Sequence, residues 1–84
     1  MTKYLVEFLA SIFFVYVILS TSNALAIGLS LTLIYLLYQI IPNPAVTIVM
    51  TAAGKAPAEH LIPTCAAQIF GALVALELFK RYKL

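Results

Sequence analysis

The chain has 84 residues, of which 64% are hydrophobic and 10% are charged, with a net charge of +2. Soluble domains are roughly half apolar and a quarter charged, and a soluble domain of this size buries only about 60% of the surface that its unfolded chain exposes. The composition therefore argues against a water-soluble domain and favours an integral membrane protein.

The charged residues lie towards the two ends of the chain, and none occurs between Phe8 and Gly54. The net positive charge comes from scattered residues that form no basic stripe with interleaved aromatic residues, so nothing supports nucleic-acid binding. The basic cluster of Lys80, Arg81 and Lys83 fits contact with lipid headgroups. We therefore expect the lipid bilayer, and no nucleic acid, as a partner.

The first two predicted helices form a hairpin. A bilayer core about 30 Å thick needs roughly 20 apolar residues of helix, and the uncharged tract is too long for one span. The polar residues from Ser20 to Asn23 favour turns and caps, which predicts one transmembrane helix over residues 2–20 and a second over 24–41. The alternative is a signal peptide, which the acidic Glu7 disfavours.

A second break follows over residues 41–44, where Pro42 and Pro44 disfavour helix in the residues before them. Asparagine is a favoured N-cap and proline a favoured first helical residue, so a short helix is predicted over 44–53, with Gly54 as its stop. About ten residues cover only about 15 Å. Such a segment enters and leaves a bilayer on one side and needs protein or a wet cavity around it.

A third transmembrane helix is predicted over residues 61–80. Small residues recur at four-residue spacing on the second and third spans, which allows helix backbones to approach closely in lipid. The positions expected at such contacts are Gly28, Ala67, Gly71 and Ala75. The predicted fold is therefore an all-α membrane protein, a single domain over 1–84 with three transmembrane helices and one re-entrant half-helix.

Side chains suited to catalysis or metal binding are few. Cys65 is the single cysteine, so no intrachain disulfide is possible, and we interpret it as a packing residue. His60 is expected to be a solvated loop residue, with pH sensing as the alternative. No two of Ser, His, Cys, Asp and Glu are placed as nucleophile and base. We expect no enzyme, no cofactor and no metal site.

The segment Asn43-Pro44-Ala45-Val46-Thr47 resembles the first repeat of the major intrinsic protein family, the aquaporins and glycerol facilitators, in which this motif begins a re-entrant half-helix. Flanking residues extend the resemblance over nearly the whole chain. They are Glu7 and Gly28 in the first two spans, Gly54-Lys55 and Pro57-Ala58-Glu59 after the half-helix, and Gln68 with Gly71-Ala72 in the third span. The resemblance implies half of an aquaporin fold and a passive channel for water or small neutral solutes such as glycerol.

The chain also departs from the family pattern. The family usually has several more residues before the motif, whereas here the approach from Tyr38 to Pro42 is short. The second repeat is absent, and with it the arginine that narrows the family's pore. Val46 occupies the equivalent place in the motif that is present. These departures leave the choice between water and glycerol open.

The motif also has a direct physical interpretation. Unsatisfied N–H groups at a helix N-terminus carry partial positive charge, which disfavours cations and protons at mid-membrane. The Asn43 amide can donate to a passing hydroxyl, and freed backbone carbonyls can accept from it. The pore candidates are the motif residues Asn43, Pro44 and Ala45, and the further lining or filter candidates are Val46, Ile40, Ile41 and Pro42.

Two polar residues within the spans are expected to stabilise this arrangement. By resemblance, Glu7 accepts hydrogen bonds from the re-entrant backbone and locks that loop; the alternative is a side chain that reaches the interface beside Lys3. Gln68 is expected to be a buried donor and acceptor that bridges helices.

Three spans and one half-helix cannot enclose a pore, because the family's channel lies between two repeats with inverted topology. Lys3 and Lys55 are expected on one side, and Lys80, Arg81 and Lys83 on the other, which gives little orientation bias. We therefore expect a dual-topology, inverted homodimer or a larger homo-oligomer. Two alternatives stay open: a non-conducting structural or assembly protein with the same scaffold, and a half-channel completed by a different subunit.

Overall fold

The computed structural model describes residues 2–82, and this range is helical without strands. The helices are α1 (Thr2–Ser20), α2 (Ala24–Tyr38), α3 (Pro44–Ala52) and α4 (Leu61–Arg81), with a 3-10 turn at Ala58–His60 directly before α4. Two segments, Thr2–Ser20 and Ala58–Arg81, are long and apolar enough to cross a membrane, and α2 is a shorter apolar helix. The predicted bounds of the first and third spans agree with α1 and α4 to within one residue.

The turn between α1 and α2 forms where the sequence indicated it. Asn23 caps α2, and its Oδ1 accepts hydrogen bonds from the backbone N–H groups of Leu25 at 2.9 Å and Ala26 at 3.1 Å. An asparagine side chain in this position satisfies N–H groups that have no partner within the helix. The two helices are therefore joined by only three residues, which brings α2 back along α1.

The second helix ends three residues earlier than predicted, at Tyr38. Gln39 adopts the left-handed conformation, with φ 57° and ψ 38°, and its N–H donates to the Tyr35 carbonyl at 2.8 Å. This single hydrogen bond is the αL form of helix C-cap. The left-handed residue turns the chain before Pro42 is reached, so the predicted extension to residue 41 is wrong. With 15 residues, α2 is about 22 Å long.

The short helix α3 begins where the sequence predicted and ends one residue earlier. Its termination is a Schellman motif: Gly54 has φ 78°, its N–H donates to the Thr51 carbonyl at 3.1 Å, and the Lys55 N–H donates to the Met50 carbonyl at 2.9 Å. Glycine tolerates the positive φ that this motif requires. The predicted role of Gly54 as the helix stop is therefore confirmed.

The two long helices, α1 and α4, run parallel to each other. Contacts between them occur in the same order along both helices: Tyr4 with His60, Glu7 with Gln68, and Tyr16 with Phe79. Two parallel helices need a connecting segment that runs in the opposite direction, and α2 is that segment. Its C-terminal residues, Tyr35 and Gln39, line the same cavity as Lys3 and Glu7 near the start of α1.

Gly71 marks a close approach of α4 to α1. A β-carbon built on Gly71 would lie 2.6 Å from the Phe8 carbonyl oxygen and 2.8 Å from the Ser11 β-carbon. One turn later Ala75 is fully buried, whereas Ala67, one turn earlier, is half-buried. The absence of a side chain at Gly71 thus lets the two backbones meet.

The expected packing role of Gly28 is wrong within the described chain. Apart from the neighbouring residues and backbone of α2 itself, no heavy atom of the described residues lies within 4 Å of a β-carbon built on Gly28, and the residue is exposed. The buried residues of α2 are instead Ser30 and Ile34. Four-residue spacing alone does not reveal which face of a helix meets a neighbour, and α2 presents a different face from the one predicted.

Burial in residues 2–82 reverses the pattern of a water-soluble core. The buried polar or charged residues are Glu7, Ser11, Ser30, Thr64 and Gln68, whereas the buried hydrophobic residues are Ala10, Ile34 and Ala75. Large apolar side chains cover the surface, and Leu36 and Ile62 are exposed by 74% and 77%. Soluble proteins bury such side chains and rarely bury unpaired polar ones, so the exterior is matched to an apolar surrounding.

Candidate functional site

A buried hydrogen-bond network centres on the side chain of Gln68 in α4, which is 2% exposed. Its Nε2 donates to the Glu7 carboxylate at 3.0 Å and to the Thr47 hydroxyl at 2.9 Å, and it lies 3.5 Å from the Ile41 carbonyl oxygen. An amide nitrogen has two hydrogens, so the Glu7 and Thr47 contacts are the strong pair. The expectation that Gln68 bridges helices is confirmed, since it links α1, α3 and α4.

Thr47 connects this network to the start of the short helix. Its hydroxyl lies 3.1 Å from both the Gln68 Oε1 and the backbone carbonyl oxygen of Asn43. Thr47 follows Asn43 by one helical turn, so the two residues share a face of α3. The N-terminus of α3 is therefore fixed against α4 beside Gln68.

Glu7 occupies the end of the network and is 4% exposed. Its Oε2 lies 3.6 Å from the Nζ of Lys3, one turn earlier in α1, whose side chain is 49% exposed. We expected Glu7 to accept hydrogen bonds from the re-entrant backbone itself. In the described residues it acts through Gln68 instead, because the Gln68 amide lies between the carboxylate and the loop.

Asn43 presents two different groups at the start of α3. Its Oδ1 accepts a hydrogen bond from the Ala45 N–H at 2.9 Å, which makes it the N-cap of the helix that Pro44 begins. Among residues 2–82, its Nδ2 has no hydrogen-bond partner. Because the cap bond holds the amide in one orientation, the NH₂ group stays available as a hydrogen-bond donor on an exposed residue.

The backbone carbonyls before Asn43 are not equally free. The Ile41 carbonyl accepts from the Asn43 N–H at 2.7 Å and lies within 3.5 Å of Gln68 Nε2, so our expectation that it is freed by the helix break is wrong. The tight turn that the prolines impose uses this carbonyl internally. The Ile40 and Pro42 carbonyls have no donor partner among the described residues.

A cavity of about 350 Å³ opens at the end of the molecule where α1 begins. Its lining includes the basic residues Lys3 and Lys55, together with His60, and the polar residues Glu7, Thr64 and Thr47. The predicted lining residues Ile40, Ile41 and Val46 also border it. The cavity therefore brings basic and buried polar residues together with the segment that precedes the half-helix.

The motif residues Asn43 and Pro44 border a different depression, of about 420 Å³, together with Pro42. Apart from Gln68, its other walls are apolar and come from the second half of α1, including Leu19, and from α4, including Leu73. Ala45 is exposed on the outer surface of α3. The predicted site residues are thus divided between a polar cavity and an apolar groove on either side of the loop.

Sequence reasoning gave no role to three polar residues of this region: Thr47, which was recognised only as part of the motif, Thr64 and Ser11. Thr64 and Ser11 are each one helical turn from a residue that was predicted, since Thr64 precedes Gln68 by four positions and Ser11 follows Glu7 by four. Polar residues at this spacing in otherwise apolar helices lie on one face. That spacing was a usable signal for a polar seam between α1 and α4.

No protein-family model matches this chain, and no solved structure matches it significantly.

Proposed function

We propose that this chain is a multi-pass membrane protein with half of an aquaporin-like fold, and that it forms a passive channel for water or small neutral solutes. In this proposal α1, α2 and α4 cross the bilayer, α3 is a re-entrant half-helix, and a second, inverted copy completes the pore. The Asn43-Pro44-Ala45 motif of each copy lies near mid-membrane.

The reversed distribution of polar and apolar residues supports the membrane location. Polar side chains meet each other inside the molecule, whereas Leu36, Ile62 and other large apolar residues face outward. A 15-residue α2 is short for a core about 30 Å thick, and local bilayer thinning or tyrosine anchors such as Tyr35 and Tyr38 accommodate that mismatch. The parallel order of α1 and α4 fits an odd number of crossings.

The observation that carries the channel proposal is the state of Asn43. The Oδ1 of its amide is bound to the helix that it caps, the Nδ2 is free, and Gln68 and Thr47 fix the position of the helix start. A fixed donor beside the positive end of a helix dipole is suited to hydrogen-bond a neutral oxygen and to repel cations. The alternative is that Asn43-Pro44 only caps a bent helix, and such a cap would need neither the buried network nor the polar cavity.

The exposed state of α3 supports a partner. No residue of α3 is buried, and the groove beside Pro44 is lined mainly by apolar residues of α1 and α4. A half-helix in a bilayer has unpaired N–H groups at its start, which are tolerated only when protein or water surrounds them. A second copy inserted upside down covers both surfaces and supplies the missing half-helix.

The charges of the two ends are compatible with insertion in both directions. Lys3, Lys55 and His60 border the cavity at one end, whereas Lys80 and Arg81 lie at the opposite end of α4. The number of lysines and arginines in flanking segments sets the orientation of membrane proteins. Near-equal numbers give little preference, as an inverted homodimer needs.

Permeability of reconstituted vesicles tests the proposal. Purified protein in liposomes is mixed rapidly with hyperosmotic sucrose or glycerol, and vesicle shrinkage and reswelling are followed by light scattering, with protein-free liposomes as the control. We expect faster water flux or faster glycerol entry than in the control, together with a cross-linked species of two copies. Rates equal to the control would support the non-conducting scaffold, and a co-purified second polypeptide would support a hetero-assembly.

A further inference from the structure

Thr64 is a buried residue whose hydroxyl lacks a partner in the part of the chain that the structure describes. The residue is 4% exposed, it lines the 350 Å³ cavity, and its Oγ1 makes no hydrogen bond among the described residues. Other helical hydroxyls, those of Ser30, Thr32 and Thr51, donate to backbone carbonyls three or four residues earlier. Buried polar groups in native proteins almost always have a partner. Ser11 and Ser20 also have unpartnered buried hydroxyls among the described residues, but of the three only Thr64 belongs to the lining of this cavity.

The position of Thr64 places it opposite an acceptor. On α4 it lies midway between His60, which contacts Tyr4, and Gln68, which contacts Glu7. Because α1 and α4 are parallel, Thr64 faces the stretch of α1 that ends at Glu7. Glu7 borders the same cavity. Among the described residues, the polar group recorded near its Oε2 is the Lys3 nitrogen at 3.6 Å, which is longer than a hydrogen bond.

We infer that Thr64 and Glu7 form a binding site for one hydroxyl group on the inner wall of the cavity. The hydroxyl donates its hydrogen to the Glu7 carboxylate and accepts one from the Thr64 Oγ1–H. Its source is either a retained water molecule or the hydroxyl of a small neutral alcohol that enters the cavity. A volume of about 350 Å³ accommodates either, since a water molecule takes up about 30 Å³.

Any role of this site in permeation rests on the proposed channel function. Binding itself is measured without flux. Failure of the channel proposal therefore leaves the site testable, and failure of the site leaves the channel proposal standing.

Ser11 provides a matched control. It is 1% exposed, and its Oγ also has no partner within residues 2–82. It packs beside Gly71 in the α1–α4 contact and is not among the cavity-lining residues. Thr64→Val keeps the branched shape and removes the hydroxyl of a residue that lines the cavity. Ser11→Ala removes a buried hydroxyl from a residue that is absent from the cavity lining.

The experiment compares wild type, Thr64→Val and Ser11→Ala in lipid nanodiscs by two measurements. Saturation-transfer NMR with glycerol as the probe detects a solute hydroxyl, and thermal unfolding without glycerol detects a retained water molecule. A saturable glycerol signal that is lost in Thr64→Val and kept in Ser11→Ala assigns the site to a solute.

If no glycerol signal is found, the melting temperatures decide. A fall of about 4 °C or more in Thr64→Val but not in Ser11→Ala assigns the site to water, because the variant loses one buried hydrogen-bonded partner. A glycerol signal unchanged in Thr64→Val overturns the inference. Without a glycerol signal, a Thr64→Val melting temperature equal to or above wild type, or equal losses in both variants, overturns it too.

Discussion

The Gln68 amide donates a hydrogen bond to the Glu7 carboxylate at 3.0 Å, and both residues are almost completely buried. This contact joins the two long parallel helices at the level where the short helix begins. The second hydrogen of the same amide is directed to Thr47 in α3. The position of the Asn43-Pro44 turn therefore depends on one side chain that is shared by three helices.

Gln68→Leu is expected to destabilise the protein. Leucine fills similar volume but leaves the buried Glu7 carboxylate without its donor, and losing a hydrogen bond to a buried charged group costs about 2 kcal/mol. For a domain of this size the melting temperature in detergent micelles then falls by about 8 °C or more. Glu77→Gln is the control, because the Glu77–Lys80 pair is 60% exposed on both sides and such pairs contribute about 1 kcal/mol at most. Equal melting temperatures for wild type and Gln68→Leu would show that the network carries no stability.

Gly71→Ala and Gly28→Ala are expected to have opposite effects. At Gly71 the new methyl group meets the Phe8 carbonyl at 2.6 Å, so α1 and α4 must separate, and overpacking of this kind costs about 1 to 3 kcal/mol. At Gly28 the methyl group meets nothing, and alanine improves helix propensity by up to about 1 kcal/mol. Thermal unfolding of both variants checks the pair. A Gly71→Ala variant as stable as wild type would contradict the close helix approach.

Gln39→Gly is expected to stabilise the loop before the motif. Gln39 holds φ 57°, and the left-handed conformation costs a residue with a β-carbon roughly 1 kcal/mol, which glycine relieves. Gly54→Ala makes the opposite change, since it adds a β-carbon to a residue with φ 78°. Apart from its two chain neighbours, that β-carbon meets no atom of the described residues within 4 Å, so the free-energy cost of the substitution is backbone strain alone. We expect melting temperatures to rise for the first variant and to fall for the second, each by about 4 °C. A fall in Gln39→Gly would mean that the side chain contributes more than the strain removes.

Insertion in both orientations is expected in liposomes and in cells. Single cysteines at Ser22→Cys and Lys55→Cys, in a Cys65→Ala background, mark the two ends of the bundle. Near-equal basic charge at the ends gives little orientation preference, so an impermeant maleimide should label about half of each variant from outside. Complete labelling of one position and none of the other would establish a single orientation and rule out the inverted homodimer.

Local chemistry made part of this structure predictable. The caps at Asn23 and Asn43, the proline at the start of α3 and the left-handed Gly54 each act within a few residues, so the sequence alone was sufficient to place those helix ends. The early end of α2 was not predictable, because glutamine at residue 39 carries no preference for a positive φ.

Contacts between helices set the limits of sequence reasoning for the site. Gly28 and Gly71 occupy similar small-residue patterns, but only Gly71 meets a neighbouring backbone. Likewise, Glu7 and Gln68 were recognised as polar residues in apolar spans, whereas their pairing depends on the parallel register of α1 and α4. The division between the polar cavity and the groove beside Asn43 also depends on packing, which no single segment encodes.

The most direct test of the channel proposal compares Asn43→Asp with Asn23→Asp. Both asparagines cap a helix through Oδ1, and aspartate retains that acceptor, so both variants should fold like wild type. Both changes replace an NH₂ group that has no hydrogen-bond partner among the described residues, but only residue 43 lies at the proposed pore, so only there does the change remove a pore donor and add negative charge to the pore.

The measurement is stopped-flow water and glycerol permeability of proteoliposomes, together with their leak of sodium ions. We predict that Asn43→Asp abolishes the protein-dependent flux or admits sodium, and that Asn23→Asp matches wild type. Unchanged flux and unchanged sodium exclusion in Asn43→Asp would contradict the account.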